Sequence, residues 1–153
     1  MELDAVDQRL LDLLQQDASV SNLTLAEQAG ISAATALRRV RQLRRAGIIE
    51  RVMALVSPQA VAAGVNVLVE VTLDRQGAEH LQSFESHVVS DPAVQQCYRV
   101  SPGPDFVLVL WAQDMGAYQA VADRLLTQQA NVRNVKAYFC VKRSKFSPVI
   151  PMA

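Results

Sequence analysis

The 153-residue sequence predicts an α+β fold in which helices come first and a sheet with further helices follows. Apolar residues in the first third recur at helical spacing, whereas several later segments are rich in valine and alternate as strands do. Half of the residues are apolar and a fifth are charged, which is typical of a globular protein with a packed core. The length accommodates two small domains.

Charge is distributed unevenly along a chain whose formal net charge is zero. Residues 1–30 contain six acids against one arginine, whereas residues 31–51 contain six arginines against one glutamate. Five of those arginines fall within the eight residues RRVRQLRR. A cluster of this kind indicates a negatively charged partner, such as a nucleic acid.

A first amphipathic helix is predicted over residues 4–17. Asp4 is the expected N-cap, because its short side chain can accept hydrogen bonds from the first free N–H groups of a helix. Apolar residues then follow at the spacing of a buried helix face, namely Val6, Leu10, Leu13 and Leu14. This helix should therefore pack on a core.

A second helix, about two turns long, is predicted from Thr24 to Gly30. Thr24 and Glu27 have the spacing of a capping box, and glycine is a typical residue at which a helix stops. A third helix should begin after Ser32, a good N-cap, and end at Gly47. Two helices, a short turn and a third helix are the arrangement of a helix-turn-helix.

The third helix is expected to bury Leu37, Val40 and Leu43, which recur every three residues. The segment IIERVMALV that follows it reads as a strand. Residues 1–50 are therefore predicted to form a winged helix-turn-helix that binds DNA.

The side of the third helix opposite to its buried face carries arginines, when the helix is drawn at about 100° per residue. A helix-turn-helix presents this helix to the major groove, where arginine can bridge O6 and N7 of guanine. Base reading is predicted for Ala34, Thr35 and Arg38. Phosphate contacts, which position a protein without specifying sequence, are predicted for Arg39, Arg41, Gln42, Arg44 and Arg45. Ser32, at the start of the helix, completes the predicted DNA-binding set.

Two other interpretations of the arginine cluster stay open. Charged helix faces often serve only to keep a protein in solution, and an arginine-rich helix can also dock on an acidic protein partner. Like charges three and four residues apart destabilise a helix by tenths of a kcal/mol each, which disfavours a cluster without a partner. The helices that precede the cluster favour DNA.

The remaining sequence alternates strands and helices. Strands are predicted in VNVLVEVTL, AVQQCYRV, DFVLVLWAQ and VRNVKAYFCVKR, and helices in GAEHLQSFESHVVS and MGAYQAVADRLLTQQ. The order β-α-β-β-α-β is that of the ferredoxin-like fold, a four-stranded antiparallel sheet with two helices on one face. This domain is predicted over residues 65–143. A linker over residues 51–64, with a short helix in SPQAVAAG, precedes it, and a tail over residues 144–153 follows.

The predicted sheet is apolar on both faces. The segments VLVEV and VLVLW contain more apolar residues than a sheet with one face in water requires. A homodimer through the open face is the expected explanation. Two copies would present two helix-turn-helix units, which matches the symmetry of a palindromic DNA site.

The sequence shows no grouping of residues typical of an enzyme or a metal site. His80 and His87 lie seven residues apart, too far to share a metal on one helix, and Cys97 and Cys140 stand outside any CxxC motif. The start MELDAVDQ lacks the features of a secretory signal, and no apolar run approaches the roughly 20 residues that span a membrane. We expect a soluble, cytoplasmic protein without catalytic residues, metal or cofactor.

The chain resembles the leucine-responsive/asparagine regulator (Lrp/AsnC, feast-famine) family of bacterial and archaeal transcription factors over essentially its whole length. The resemblance is carried by LDAVDQRLLDLLQQDASVSNLTLAEQAGISAATALRRVRQLRRAGII and by DMGAY at the start of the last helix. It implies a transcription regulator that dimerises through its carboxy-terminal domain, in many members as an octamer of four dimers. It also implies an amino acid or a related metabolite bound between protomers.

The resemblance further implies an effector loop at SPGPDFVL. The family usually has Ser-Gly-Asp-Phe-Asp-Tyr here, whereas this chain has Pro102 at the glycine position and Pro104 at that of the first aromatic. Proline has no N–H to donate to a ligand carboxylate, although a nearby glycine can restore space. The resemblance implies an effector site made of Ser101, Gly103, Asp105 and Asp114, although Asp114 is also placed as a helix N-cap.

Overall fold

The computed structural model describes residues 2–61 and 64–152, and the chain divides into two compact units. The first unit comprises Met1–Leu55 together with Lys145–Ala153, and the second comprises Val56–Ser144. No helix within the described ranges is long and apolar enough to cross a membrane. Each unit has its own hydrophobic core.

Three helices form the first unit: α1 (Ala5–Gln16), α2 (Asn22–Ala29) and α3 (Ala33–Arg45). The predicted first helix is confirmed, with Asp4 as its N-cap. Ser32 caps α3 as predicted, and α3 ends immediately before Ala46 and Gly47. The core of the unit contains Leu10, Leu25 and Ala29, with partly buried apolar residues of the first and third helices packed against them.

The predicted start of the second helix is wrong. Helix α2 begins a few residues earlier, because Ser21 is its N-cap and accepts a hydrogen bond from the Thr24 N–H at 3.1 Å. The Ser21 and Thr24 hydroxyls also lie 2.9 Å apart and share a hydrogen bond. Serine is as good an N-cap as threonine, and Ser21 directly precedes residues that form helix. The Thr24–Glu27 spacing therefore predicted a helix start that is too late.

The predicted strand over residues 48–56 is also absent from the described structure. After α3 the Ile48 and Ile49 N–H groups both donate to the Leu43 carbonyl, and no strand pairing follows before residue 58. The side chains of this segment are exposed, among them Val52, Met53 and Leu55. A strand needs a hydrogen-bonding neighbour, and the described part of this chain offers none here.

The second unit begins with a short helix, α4 (Pro58–Val61), in the segment predicted to connect the domains. The predicted connecting helix also includes residues 62 and 63, which lie outside the described residues. The rest of the unit has the predicted order. It comprises β1 (Val65–Leu73), α5 (Ala78–Val89), β2 (Val94–Arg99), β3 (Phe106–Ala112), α6 (Met115–Ala122), a π-helical turn (Asp123–Thr127) and β4 (Val132–Phe139).

The four strands form one antiparallel sheet in the order β2-β3-β1-β4, which confirms the ferredoxin-like prediction. Valines at alternate positions of β1 are fully buried beneath α5 and α6, together with Phe106 and Leu108 of β3. Phe84 of α5 contacts Phe106, with ring centroids 5.0 Å apart. The helices therefore cover one face of the sheet, as a period of two in the strands requires.

Helices α5 and α6 do not cover the opposite face of the sheet. Strand registers place apolar or aromatic residues on this open face beside the polar Asn66, Glu70 and Lys136, namely Leu68, Tyr98, Val107, Val109, Trp111 and Tyr138. Leu68, Tyr98 and Tyr138 are each more than two-fifths exposed. An apolar sheet face of this kind is typical of an interface.

The carboxy-terminal tail belongs to the first unit. The Gln15 side chain of α1 donates to the Ile150 carbonyl at 2.9 Å and accepts from the Ile150 N–H at 2.7 Å. An amide that satisfies both groups of one residue imitates the pairing of a strand. This pair fastens the tail to α1.

A test of the helix-turn-helix turn uses Gly30, which ends α2 with φ of 70° and has nothing within 4 Å of a Cβ placed on it. Gly30→Ala should lower the free energy of unfolding by about 1 kcal/mol, because alanine is strained at positive φ. Gly30→Asn adds the same Cβ but tolerates this conformation, so it should lose less. Urea unfolding followed by circular dichroism measures both, and equal losses would contradict the argument.

Candidate nucleic-acid interface and effector loop

The buried side of helix α3 differs by one residue from the prediction, and this determines which residues lie on its outer face. Ala36 and Leu43 are fully buried and Val40 is partly buried, whereas Leu37, predicted to face inward, is 40 % exposed. Ala36 and Leu43 are seven residues apart and share one side of the helix. The buried face is therefore centred on Ala36 rather than Leu37.

Small side chains and one side-chain clamp explain this orientation. Ala26 and Ala29 of α2 are buried, as is Ala36 of α3, so small side chains contribute to the buried sides of both helices. The Asn22 amide also donates to the Ala33 carbonyl at 2.8 Å, which joins the first turns of α2 and α3. These contacts fix the direction in which the outer face of α3 points.

The outer face of α3 is concave, and its lining agrees with most of the predicted set. It is lined by Ala34, Leu37, Arg38, Arg41, Gln42 and Arg45. The side chains of Arg38, Arg41, Arg44 and Arg45 are exposed, and none has a hydrogen bond or an ion pair with another described residue. Four guanidinium groups are therefore available to an anionic partner, each with a fork of donors that suits phosphate.

Ser32 and Thr35, also in the predicted DNA-binding set, contact each other at the start of α3. Ser32 Oγ accepts from the Thr35 N–H at 3.2 Å and donates to Thr35 Oγ1 at 2.8 Å. Thr35 is half-buried. Ser32 therefore caps the helix, and the Thr35 hydroxyl keeps one donor and part of its acceptor capacity for a partner.

Arg39 differs from the other arginines because its side chain points toward α1. Its Nη1 atom donates to Asp4 Oδ2 at 2.7 Å and to Asp7 Oδ1 at 2.9 Å. Asp7 is buried, and the Arg39 side chain is 22 % exposed. Both contacts use the same nitrogen, so Arg39 has an intramolecular role in the first unit, and the phosphate contact predicted for it stays a prediction.

The two acids that hold Arg39 also cap α1. Asp4 Oδ1 accepts from the N–H groups of Val6 and Asp7, both at 2.9 Å, and Asp7 Oδ2 accepts from the Asp4 N–H at 3.3 Å. The Asp7 backbone N–H and the Arg39 guanidinium hold the pKa of the Asp4 carboxyl below its ordinary value. The same carboxylates raise the pKa of Arg39. This capping box with its arginine was not recognised in the sequence, although the spacing of two acids three residues apart was visible there.

The loop predicted to bind an effector lies between β2 and β3. Ser101 and Gly103 are exposed, and Gly103 has φ of 118°, a conformation that glycine adopts readily. Asp105 Oδ2 accepts from the Leu73 N–H at 2.7 Å and from the Gln76 amide at 3.2 Å. Asp105 thus ties the loop to the end of β1, and Gln76 is a neighbour of the loop that the sequence did not reveal.

The predicted effector set does not form one cluster within a protomer. Asp105 precedes β3 and Asp114 follows it, so the seven-residue strand separates them by about 20 Å at roughly 3.3 Å per residue. Asp114 Oδ1 accepts from the Ala117 N–H at 2.7 Å and is the N-cap of α6, as the alternative reading predicted. Within a protomer, the loop residues and Asp114 cannot hold the same amino acid.

The described residues also carry His, Cys, Asp and Glu side chains outside these two surfaces. They contain no group of three or more His, Cys, Asp or Glu side chains placed to hold a metal ion. Cys97 is half-buried in β2, and burial raises the pKa of its thiol, which makes it less nucleophilic. Cys140 is exposed and lies just beyond β4, which ends at Phe139, before the end of the strand predicted in VRNVKAYFCVKR.

Comparison with protein-family models assigns both parts of the chain. Residues 3–50 match a winged helix-turn-helix DNA-binding domain, and residues 66–150 match the Lrp/AsnC ligand binding domain. Together these matches cover most of the sequence. They agree with the first and second units in order and type.

Curated relatives and solved structures agree with this assignment. An uncharacterised HTH-type transcriptional regulator of Haemophilus influenzae is 38% identical over 94% of this chain and 85% of its own. The leucine-responsive regulatory protein of Escherichia coli K12 is 32% identical over 95% of this chain and 89% of its own. A transcriptional regulator of Neisseria meningitidis, solved as an L-Met complex, is 28% identical with a TM-score of 0.87 over 98% of this chain and 97% of its own.

The role of Arg39 can be tested by its removal. Arg39→Ala should lower the free energy of unfolding of the first unit, because Asp7 would stay buried without its cationic partner. Arg38→Ala is a matched control on the adjacent, exposed position and should change the free energy of unfolding by less than about 0.5 kcal/mol. Urea unfolding of both variants measures the difference, and equal losses would refute an intramolecular role for Arg39.

The stability lost in Arg39→Ala should also depend on pH. Because the folded pKa of Asp4 lies below the ordinary value of 3.8, its stabilisation is complete above that pH and is lost as the pH falls through the folded value. The stability difference between the native chain and Arg39→Ala should therefore shrink at pH values below 3.8. A difference that stays constant down to pH 2 would show that Asp4 does not contribute.

Proposed function

The chain belongs to the Lrp/AsnC family, and from this membership we propose that it is a sequence-specific DNA-binding transcription regulator that responds to an amino acid or a related small metabolite. The first unit supplies the DNA-binding surface. The second unit supplies the effector site and the dimer interface. A regulator of this kind acts where the chromosome lies, so the proposed location is the cytoplasm.

One observation carries the DNA-binding proposal. The outer face of α3 bears four arginines without partners among the described residues, on the helix of a helix-turn-helix that enters the major groove. Arginine-to-phosphate contacts release counterions and supply sequence-independent affinity. DNA is the partner for which both the fold and the charge of this surface are suited.

Roles within the surface follow from position along α3. Ala34, Thr35 and Arg38 lie in the first two turns, which face base edges in the major groove. Arg41, Gln42, Arg44 and Arg45 follow further along and suit phosphates. Arg39 supports this surface from behind through its contacts with α1.

The open sheet face supports a homodimer. Six apolar or aromatic side chains lie on this face, and the helices of the same unit do not cover it. A self-complementary interface gives a two-fold axis, which would place two helix-turn-helix units on a palindromic site. Assembly of four such dimers into an octamer, which the family resemblance implies, is part of the proposal.

The loop Ser101–Asp105 is proposed as the protomer's share of the effector site. Gly103 is exposed and leaves space for a ligand to approach its backbone, and Asp105 carries a negative charge that can attract an ammonium group. Asp114 would take part only from a second protomer, because β3 separates it from this loop. The amino-acid effector is supported by the L-Met complex of the Neisseria meningitidis relative.

A DNA selection tests the function of the arginine face. Purified protein at about 150 mM salt should enrich a palindromic sequence from genomic fragments. Arg38→Ala should relax the preference at one base pair by about 1 to 3 kcal/mol, the value of a lost bidentate contact.

The matched control for that experiment is Arg45→Ala on the same face. It should weaken binding to all sequences alike and reduce the slope of log affinity against log salt by about 1. The contrary outcome is that excess unrelated DNA displaces the protein from the enriched sequence equally well in the native chain and in both variants. The helix would then be a charged docking surface for an acidic partner. That outcome would refute the proposed regulator.

The effector proposal is tested by repeating DNA binding with each of the twenty amino acids. One of them should shift the bound fraction, and Asp105→Asn should abolish the shift, because the asparagine oxygen can still accept from Leu73 while the charge is gone. Asp114→Asn preserves an N-cap and serves as the matched control for loss of charge. A response that survives Asp105→Asn but not Asp114→Asn would move the site to the other end of β3.

A further inference from the structure

Leu37 is an exposed leucine among the arginines of α3. It is 40 % exposed and lines the same concave face as Ala34, Arg38 and Arg41. Ala34 and Leu37 are the two apolar side chains of that lining, three residues apart, and the other members are arginines and a glutamine. The outer face therefore contains a small apolar area within a strongly basic surface.

The core of the first unit does not depend on Leu37. Ala36 and Leu43 are fully buried on the inner side of α3, and Val40 packs against the cluster around Leu10. Single exposed leucines are common on protein surfaces, so exposure alone carries little meaning. The position matters here, because Leu37 lies in the part of α3 that would face base edges.

An apolar side chain restricts what can lie opposite it in a major groove. Most groups on the groove floor are hydrogen-bond donors or acceptors, and covering one with a leucine would leave it unsatisfied. The C5 methyl group of thymine is the apolar exception. We propose that Leu37 contacts thymine methyl groups and so determines part of the sequence preference, an inference that rests on the proposed DNA-binding function.

The spacing on α3 fits a reader of neighbouring base pairs. Ala34 and Arg41 lie one turn before and one turn after Leu37, and this stretch covers about 10 Å at roughly 1.5 Å per residue. At about 3.4 Å per base pair, it spans about three steps. Leu37 and Arg38 are rotated by about 100° from each other, so a leucine–thymine contact and an arginine–guanine contact would fall on different base pairs.

The test replaces single thymines by deoxyuridine, which removes only the methyl group. The DNA is the palindromic sequence enriched by the native chain, with each invariant thymine replaced in turn. At one position per half-site, the native chain should lose about fourfold in affinity, the fold-change that corresponds to burial of one methyl group. Leu37→Ala should lose most of this preference for thymine over deoxyuridine, because the shorter side chain no longer reaches the methyl group.

Two further variants make the comparison specific. Leu37→Met keeps an apolar side chain of similar volume and should retain a preference for thymine over deoxyuridine. Leu23→Ala removes the same atoms from an exposed leucine of α2, which is 61 % exposed, and should leave the native thymine preference unchanged. Fluorescence anisotropy with labelled duplexes measures each affinity.

The outcomes separate this inference from the function on which it rests. If no sequence is enriched, the proposed regulator itself fails. If a sequence is enriched but contains no invariant thymine, or if deoxyuridine costs the same in the native chain and in Leu37→Ala, only the role of Leu37 is overturned. If Leu37→Ala changes the sedimentation of the protein but not its thymine preference, Leu37 belongs to a protein interface and the inference is likewise overturned.

Discussion

The orientation of α3 depends on the contact between Arg39 and the two acids that cap α1. Asp4 and Asp7 satisfy free N–H groups of α1 and accept both hydrogen bonds from one nitrogen of Arg39. Because Arg39 and Arg41 are two residues apart, about 200° separates them around the helix, so holding one inward turns the other outward. An ion pair inside the first unit thus acts together with the Asn22–Ala33 hydrogen bond in directing the proposed DNA-binding face.

The sequence correctly predicted that Arg38, Arg41 and Arg45 are exposed on α3, but it misplaced the centre of the buried side of the helix. Arginines are recognised in a sequence by their charge. A helical period of 3.6 residues places Arg38, Arg41 and Arg45 on one side of the helix, independently of which residues are buried on the other side. The prediction assigned Leu37 to the buried side because leucine is more apolar than alanine, and a search for apolar periodicity gives the larger residue more weight than Ala36. In the structure the smaller residue is buried, and α2 likewise buries Ala26 and Ala29. A pattern of hydrophobicity cannot show that a helix pair prefers small side chains.

The second unit was predicted more completely, because alternating valines and amphipathic helices specify a β-α-β-β-α-β order without knowledge of distant contacts. The effector loop was less predictable. Asp105 and Asp114 lie nine residues apart in sequence, and their separation by a whole strand follows only once the limits of β3 are known. The hydrogen bonds of Asp105 to the end of β1 depend on strand order, which local sequence does not contain. The segment 48–56 has strand-like residues, but strand formation also requires a neighbour.

Neighbouring arginines in α3 lie in different environments although they are chemically identical. Arg38 is exposed and Arg39 is held by acids, and a count of charges would treat them alike. The acids of residues 1–30 therefore act in two ways. Two of them neutralise Arg39, and others, such as the exposed Asp17 and Glu27, would repel DNA phosphates. In a chain of zero net charge, long-range attraction is weak and salt screens fields beyond about 8 Å. Within the first unit, acids lie on α1 and α2 and arginines lie on α3. This separation of charge would thus favour the orientation in which the first unit approaches DNA with α3 first.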